Sequence, residues 1–318
     1  MRSPLLPYLW MLLGALAFAV MAVLTSELRE EFRWQWIALA RSALAMLFAA
    51  SLVIAGGAKF VFLRPRTLWM RSLAGSVSLL CGFYAMTHYE VSVVLTLTNM
   101  YPLWVAVLSW PLLGEWPKGD VWLAAAIGVI GVCVLSYGSA VQPGAIAGGG
   151  GAGSVPASSP LASQIAIGAS LVSAFTSSIA LIGLHRLQGI DSRAVVTHFS
   201  AVSAALCAVA LFLLPYDVQP PASAGQNSLF APLIMLVGVG LFATIGQLFL
   251  TKAFAAGSPA RVSVVGLSQT AFTMLMEMVL HQKRFHPLTL VGMVLIIAPT
   301  AWVLLRGGTV AAVGEDQV

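Results

Sequence analysis

The stretch LTLTNMYPLW, residues 95–104, lies inside an apolar run that carries no formal charge from Val91 to Leu113. Asn99 is costly in a dry apolar environment unless its amide is hydrogen-bonded, and Pro102 interrupts the backbone hydrogen bonds of a helix. Because Pro102 has no N–H, the carbonyl of Thr98 loses its usual helical partner. The stretch therefore predicts a small, polar, locally opened surface in the middle of a hydrophobic helix.

The composition of the whole chain is that of a membrane protein. Of 318 residues, 59% are hydrophobic and 8% are charged, and the mean hydropathy is +0.93. Soluble domains carry about 25% charged residues. Since the deficit of charge extends along the whole chain, a polytopic membrane protein is predicted. Cys81, Cys133 and Cys207 lie in apolar runs, which is typical of small buried residues rather than of a disulfide framework.

Apolar segments long enough to cross a bilayer as helices, about 20 residues each, recur along the chain. Two-residue alternation typical of strands is absent from the sequence, and helices satisfy their own backbone in hydrocarbon. The ten predicted spans are 7–25, 36–56, 67–89, 91–113, 121–141, 161–184, 194–215, 229–254, 260–281 and 287–306.

The segment QPGAIAGGGGAGSVPASSP, residues 142–160, is a flexible Gly/Ala/Ser/Pro linker by composition. It separates a first five-helix repeat at 1–141 from a second five-helix repeat at 161–306. A disordered tail is predicted at 307–318, and a Pro-rich loop at 216–228.

The distribution of Lys and Arg predicts the orientation in an inner or plasma membrane. With a cytoplasmic N-terminus, eleven of the sixteen basic residues fall on the cytoplasmic side. These are Arg2, Lys59, Arg64, Arg66, Arg71, Lys118, Arg186, Arg193, Lys252, Arg261 and Arg306. An even number of spans returns the C-terminus to the cytoplasm and places the linker outside.

The two halves resemble each other at an offset of 168 residues, which aligns FYAM at 83–86 with TKAF at 251–254. Pro102 then falls on Thr270, and GEWPKG at 114–119 falls on QKRFHP at 282–287. Because each half has an odd number of spans, the second half enters the membrane from the opposite side. This order predicts an inverted-topology repeat, which is the architecture of many secondary transporters.

Several motifs also follow one another in the order of a known family. They are Arg41 in ALARSALAMLFAA, RSLAG at 71–75, FYAM at 83–86, Pro102, Gly114-Glu115 and the Gly-rich LAAAIGVIGVCVLS. Over about residues 7–306, the chain resembles an EamA-domain permease of the drug/metabolite transporter superfamily. The resemblance implies two packed five-helix bundles around a central cavity lined by spans one, three, four, six, eight and nine. It does not specify a substrate.

Polar residues near the middle of the predicted spans are candidates for a substrate-facing wall. They are Tyr84, Thr98, Asn99, Pro102, Ser173, Ser177, Gln247, Gln269 and Thr273. The two glutamines stand out because an amide has both donors and acceptors to satisfy. Packing between helices, and back-bonding of Ser and Thr to their own helix, is the alternative role for the set.

Arg41 and Glu277 are ionisable residues inside predicted spans, and such residues mark functional sites by default. We consider both as coupling or gating candidates, with Glu277 as a group that takes up a proton near the outer face. The alternatives are a static Arg41–Glu277 pair, a Glu277 hydrated by the loop at 282–286, and an Arg41 side chain that extends outward to the interface. His198 is predicted to be a hydrogen-bonded packing residue.

Other motifs exclude several classes of function. GVGLFA at 238–243 matches G-x-G-x-x-A, but no predicted strand precedes it. The sequence has no Walker motif, no paired metal ligands and no nucleophile elbow, so no cofactor, metal or nucleic-acid partner is predicted. Small residues at Ala124, Gly128 and Gly131 suit close helix contact, either within one chain or in a homodimer.

The sequence thus predicts a secondary transporter, not an enzyme, whose partners are a small-molecule substrate and the lipid bilayer. Its substrate is a small organic metabolite, amino-acid-like or similar, which is moved by alternating access of the two halves. Export is the preferred direction and uptake is the alternative. An integral-membrane enzyme and a non-transporting receptor or scaffold are two further classes, and a liposome flux assay separates both from a carrier.

Overall fold

The computed structural model describes residues 5–28, 31–89, 91–140, 160–213, 230–281 and 286–315. Every regular element within these ranges is a helix. The helices are α1 (Leu6–Leu28), α2 (Trp34–Ala55), α3 (Arg66–His88), α4 (Val91–Thr98), α5 (Tyr101–Leu113), α6 (Gly119–Ala140), α7 (Pro160–His185), α8 (Ser192–Leu213), α9 (Phe230–Ala256), α10 (Pro259–Gly266), α11 (Ser268–His281) and α12 (Pro287–Glu315). The predicted loop at 216–228 and the linker, apart from Pro160, lie outside the described residues.

Within the described ranges, nine helical segments are long and apolar enough to cross a membrane. Two of them combine a pair of helices, since Val93–Leu113 contains most of α4 and all of α5, and Pro259–Leu280 contains α10 and nearly all of α11. The third predicted span corresponds to α3, which has spanning length but carries Arg66, Arg71 and three serines. On length and composition together, the described helices therefore fall one short of the predicted ten.

The helix interruption predicted in the fourth span is confirmed. α4 ends at Thr98, and α5 begins at Tyr101 with Pro102 in its first turn. The N–H of Asn99 still donates to the carbonyl of Leu95, at 2.9 Å, so the last turn of α4 is closed before the chain turns into α5. The missing donor of the proline thus marks the place where the helix is interrupted.

A second interruption lies in the ninth span, where Leu267 separates α10 from α11. No proline marks it, since Thr270 stands where the first half has Pro102. The two interruptions contact each other: the Tyr101 hydroxyl donates to the carbonyl of Ser263 at 3.1 Å. A Cβ on Gly266 would lie 2.3 Å from that hydroxyl oxygen, so glycine is needed for this close approach.

The principal helix pairs join one half of the chain to the other. α1 packs on α9 and α3 packs on α7, while α2 packs on α8 and α6 packs on α12. If the two halves are exchanged span for span, the α1–α9 pair becomes the α3–α7 pair. The α2–α8 and α6–α12 pairs remain as they are. This is the pairing that a two-fold relation between the halves would produce.

Gly131, one of the small residues of the fifth span, contacts α12 of the same chain. A Cβ on Gly131 would lie 2.9 Å from the backbone of Leu295, and one on Gly292 would lie 2.5 Å from the backbone of Leu135. Such glycines let two helix backbones approach closely in a membrane. Of the two contacts left open by the sequence, the structure therefore contains the one within a single chain.

α12 continues to Glu315, whereas the sequence predicts a disordered tail from residue 307. The segment after Arg306, GGTVAAVGE, contains no proline to end the helix. The structure thus differs from the prediction over residues 307–315, and residues 316–318 lie outside the described ranges.

One end of the helix bundle is filled by apolar side chains, and we call this cluster the closed end. Its buried members are Tyr8, Met11, Leu68, Ala124, Ala125, Leu184, Leu187, Val195, Ala253, Phe254, Val262, Val264, Val265 and Val303. The same helices line a cavity further along. α1 places Met11 in the closed end and Met21 on the cavity, while α9 places Gln247 on the cavity and Phe254 in the closed end. The reversed order in α9 shows that α1 and α9 run in opposite directions.

Candidate functional site

A cavity of about 410 Å³ lies between the two halves, beside both helix interruptions. Its wall includes residues from all six spans that the family resemblance implies. Arg41 of α2, Leu135 and Ser136 of α6, and Phe199 of α8 also contribute. The polar and charged lining residues are Thr25, Arg41, Ser78, Thr98, Asn99, Tyr101, Ser136, Ser173, Ser177, Gln247, Gln269, Thr270 and Thr273.

Most of the candidate residues from the sequence are therefore gathered on one surface, and three are not. Pro102 is buried in the first turn of α5. Tyr84 stacks on His88, with ring centroids 4.1 Å apart, and is not a lining residue. Glu277 is 3% exposed and lies one helical turn beyond Thr273, off the wall.

The polar residues at the end of α4 hydrogen-bond to their own helix. The Asn99 amide nitrogen donates to the carbonyl of Leu95 at 2.8 Å, and the Thr98 hydroxyl donates to the carbonyl of Val94 at 2.9 Å. Both side chains also line the cavity. The Asn99 amide is thus held in a fixed orientation on the wall, which is the pre-organisation that a binding group needs.

A cluster of three serines joins α3 to α7 at the cavity. The hydroxyl of Ser173 donates to the carbonyl of Ser78 at 2.9 Å, and the hydroxyl oxygens of Ser78 and Ser177 are 2.6 Å apart. All three serines line the cavity as well. The two roles that the sequence left open, cavity wall and interhelical packing, are therefore combined in the same residues.

Arg71 is a buried cation directly behind the wall, and it is absent from the predicted site. It is 3% exposed, and its Nη2 donates to Oε1 of Gln247 at 2.9 Å. Its guanidinium carbon lies 3.8 Å from the centre of the Phe199 ring, a distance typical of a cation–π contact. The count of basic residues treats Arg71 as a residue that flanks a loop. Its position as the fifth residue of the predicted span 67–89 could have indicated a charge inside the membrane.

Arg41 lies on the cavity wall, on the side away from the closed end. Its Nε is 3.2 Å from the sulfur of Met21, which also lines the cavity. The sequence left open whether this side chain extends outward to the interface. Since it borders the cavity, it contributes positive charge to the space between the two halves.

His198 has the packing role predicted for it. Its Nδ1 is 2.8 Å from the hydroxyl of Ser72, and its ring meets that of Trp69 edge-on at 4.8 Å. It does not line the cavity. Within the part of the chain that the structure describes, no group of three His, Cys, Asp or Glu residues could hold a metal ion.

Both halves of the chain match a family model, at residues 5–137 and 164–305, and that family is the EamA-like transporter family. This chain belongs to the EamA-like transporter family. The two matches are separated by residues 138–163, which include the predicted linker. Membership makes the chain a multi-pass membrane transporter with a small-molecule substrate, and it argues against an enzyme.

This EamA-like transporter is also similar to a named exporter and to a solved structure. The pseudopaline exporter CntI of Pseudomonas aeruginosa, from strains UCBPP-PA14 and PAO1, is 26% identical over 287 residues, which cover 90% of this chain and 91% of the exporter. A solved crystal structure has the same fold, with a TM-score of 0.75 and 18% identity over 96% of this chain and 99% of that one.

Proposed function

We propose that this EamA-like transporter is a secondary carrier that moves a small organic metabolite by alternating access. The observation that carries the proposal is the cavity between the two halves. Both interrupted helices line this cavity, and so do polar residues from each half of the chain. Interrupted helices at mid-membrane are where secondary transporters place their substrate sites. The closed end then acts as the barrier on one side of the substrate.

The two halves are proposed to be five-helix repeats in inverted orientation. Three observations support this relation: the exchangeable helix pairs, the opposite directions of α1 and α9, and an interruption at the corresponding span of each half. Rocking of one repeat against the other would close the cavity end and open the closed end.

Export is the proposed direction, with uptake as the alternative. The proposal is supported by the CntI relative, which is named an exporter, although it is 26% identical to this chain. Cytoplasmic termini are proposed because eleven of sixteen basic residues then lie on the cytoplasmic side. In that orientation the closed end faces the cytoplasm and the cavity lies toward the outside.

Glu277 is proposed as the group that couples transport to protons. Its side chain is buried on α11, one turn beyond Thr273 of the cavity wall. Buried carboxyls in membrane helices serve as proton relays in transporters. A proton taken up from the outside and released after the closed end opens would drive export of the metabolite.

Comparative metabolomics of cells and medium, with and without overexpression, tests the proposed function. A carrier for export enriches at least one solute in the medium and depletes it in the cells, whereas an uptake carrier gives the opposite change. Release of that solute from liposomes containing the purified chain then establishes transport by this protein alone. If no solute changes in the cells or the medium, the carrier function is wrong.

A further inference from the structure

Arg71 carries a buried positive charge that the protein only partly satisfies. A guanidinium has five N–H donors, and the neutral amide of Gln247 accepts from one nitrogen. Its Nε is buried and has no hydrogen-bond acceptor within the described residues. Those residues also provide no ion pair to Arg71. Burial of a charge without a counter-ion is strongly unfavourable, so another group is expected to complete this site.

The cavity beside Arg71 has positive charge and no wall residue to neutralise it. Among the described residues that line it there is no Asp or Glu, while Arg41 adds a second cation on the side away from the closed end. Glu277 is buried on α11 but lies off the wall. A cleft with one sign of charge and apolar walls attracts ions of the opposite sign.

The guanidinium of Arg71 is adjacent to the cavity at a position without a side chain. Gly75 lines the cavity, and a Cβ there would lie 2.9 Å from Nη1 of Arg71 and 2.9 Å from the Phe199 ring. Gln247 and Phe199, which contact the guanidinium, line the cavity too. Three wall residues thus contact the guanidinium, and at one of them, Gly75, no side chain stands between the guanidinium and the cavity.

We infer that Arg71 binds a carboxylate of the transported solute, with Gln247 holding the guanidinium in place. The inference rests on the proposed carrier function and narrows its substrates to small organic acids and amino acids. A guanidinium matches a carboxylate because two parallel N–H groups can donate to its two oxygens. Asn99 and Gln269 on the wall are then available for the uncharged remainder of the solute.

Release from liposomes tests this inference with solutes that differ only in the charged group. Liposomes containing the full chain are loaded with equal concentrations of lactate, lactamide, succinate, succinamide, glycerol and glycerol phosphate. Mass spectrometry measures each solute released, after subtraction of the release from protein-free liposomes. The wild type is expected to release a carboxylate faster than its amide and faster than glycerol phosphate.

Two variants and a control separate binding from folding. Arg71→Gln is expected to reduce release of the carboxylate at limiting concentration by about 10- to 100-fold, since a hydrogen-bonded charge is lost. Gln247→Glu keeps the shape and supplies a carboxylate within the protein, 2.9 Å from Nη2, so it should fold and yet give a similar loss. Lys252→Gln removes an exposed cation from α9, outside the cavity wall, and should leave release unchanged.

The outcomes distinguish this inference from the proposed function. Carboxylate binding at Arg71 is overturned by any of four results. These are equal release of acid and amide, release of glycerol phosphate alone, no release of either acid, and wild-type release by both variants. An exported solute without a carboxylate in the metabolomics experiment overturns it as well, while carrier function stands. If no solute changes in cells or medium, the proposed function fails, and the inference fails with it.

Discussion

The closed end and the cavity are built from the same helices, yet their side chains differ in kind. The closed end consists of buried apolar residues such as Met11, Leu68 and Phe254. The cavity, a few turns further along, presents hydroxyls, amides and one arginine among apolar side chains such as Met21 and Phe83. Apolar packing has no directional bonds to break when two halves separate, whereas polar groups held in fixed positions on a wall favour recognition. We therefore expect the closed end to provide stability and gating, and the cavity to provide binding.

Glu277→Gln is expected to have the largest effect, because it removes a titrating group while keeping the shape of the side chain. If this residue couples transport to protons, the variant loses accumulation driven by a pH gradient completely but retains solute exchange. The measurement is solute accumulation in liposomes with and without a pH gradient. A variant that still concentrates the solute with the pH dependence of the wild type would show that Glu277 is not the coupling site.

Phe254→Ala tests the closed end as a source of stability. The side chain is among the largest that are fully buried, so its removal should lower the free energy of unfolding by about 3–5 kcal/mol. Denaturant unfolding in detergent measures this change. Phe212→Ala is the matched control, since that ring is exposed on α8 and should be nearly neutral. Equal loss in both variants would contradict the assignment of stability to the closed end.

Asn99→Ala and Gln269→Ala test the cavity as the binding region. Loss of a hydrogen bond to the solute should cost about 1–3 kcal/mol, or about 5- to 150-fold in affinity, with normal expression. Binding is measured with the solute identified by metabolomics, and stability is measured in parallel. Ser51→Ala, on an exposed surface of α2, is the control. Unchanged affinity together with lower stability would assign these amides to packing.

Asp191→Asn should have the smallest effect, because the residue lies in the connection between α7 and α8, beside the closed end but off the cavity wall, with its side chain only half-buried. The Arg193 side chain donates to its carboxylate at 2.8 Å and lowers the pKa of Asp191. A lowered pKa contributes stability above the unfolded pKa, near 4, and that contribution disappears as the pH falls through the folded pKa. When the pH is lowered from 7 to 3, the melting temperature should therefore decrease slightly more for the wild type than for the variant. Identical curves would show that this ion pair has no effect on stability.

Much of the fold could be predicted because it depends on local properties of the chain. Pro102 lacks a donor wherever the chain places it, so the end of α4 follows from its neighbourhood in the sequence. The interruption at Leu267 could not be predicted in this way. It occurs where Gly266 meets the Tyr101 hydroxyl from the other half, and this contact joins residues 165 positions apart in the sequence.

The candidate site was predicted unevenly for the same reason. Asn99 and Gln269 were found because an amide in an apolar run is unusual on its own. Tyr84 was placed on the wall from its sequence position, whereas in the structure it stacks on His88. Arg71 was assigned to a flank because the charge rule considers position along the chain and not what surrounds the side chain.

The sequence by itself determined that this chain is a multi-pass helical membrane protein of the EamA-like type, since hydropathy, linker composition and motif order are properties of the chain. Only the tertiary structure decided which polar groups share one cavity and which charge lies behind its wall. Arg71 on α3, Phe199 on α8 and Gln247 on α9 meet because three helices pack at that point. The burial of Arg71 and its electrostatic environment depend on distances between these three helices. Helical periodicity within one segment does not specify such distances.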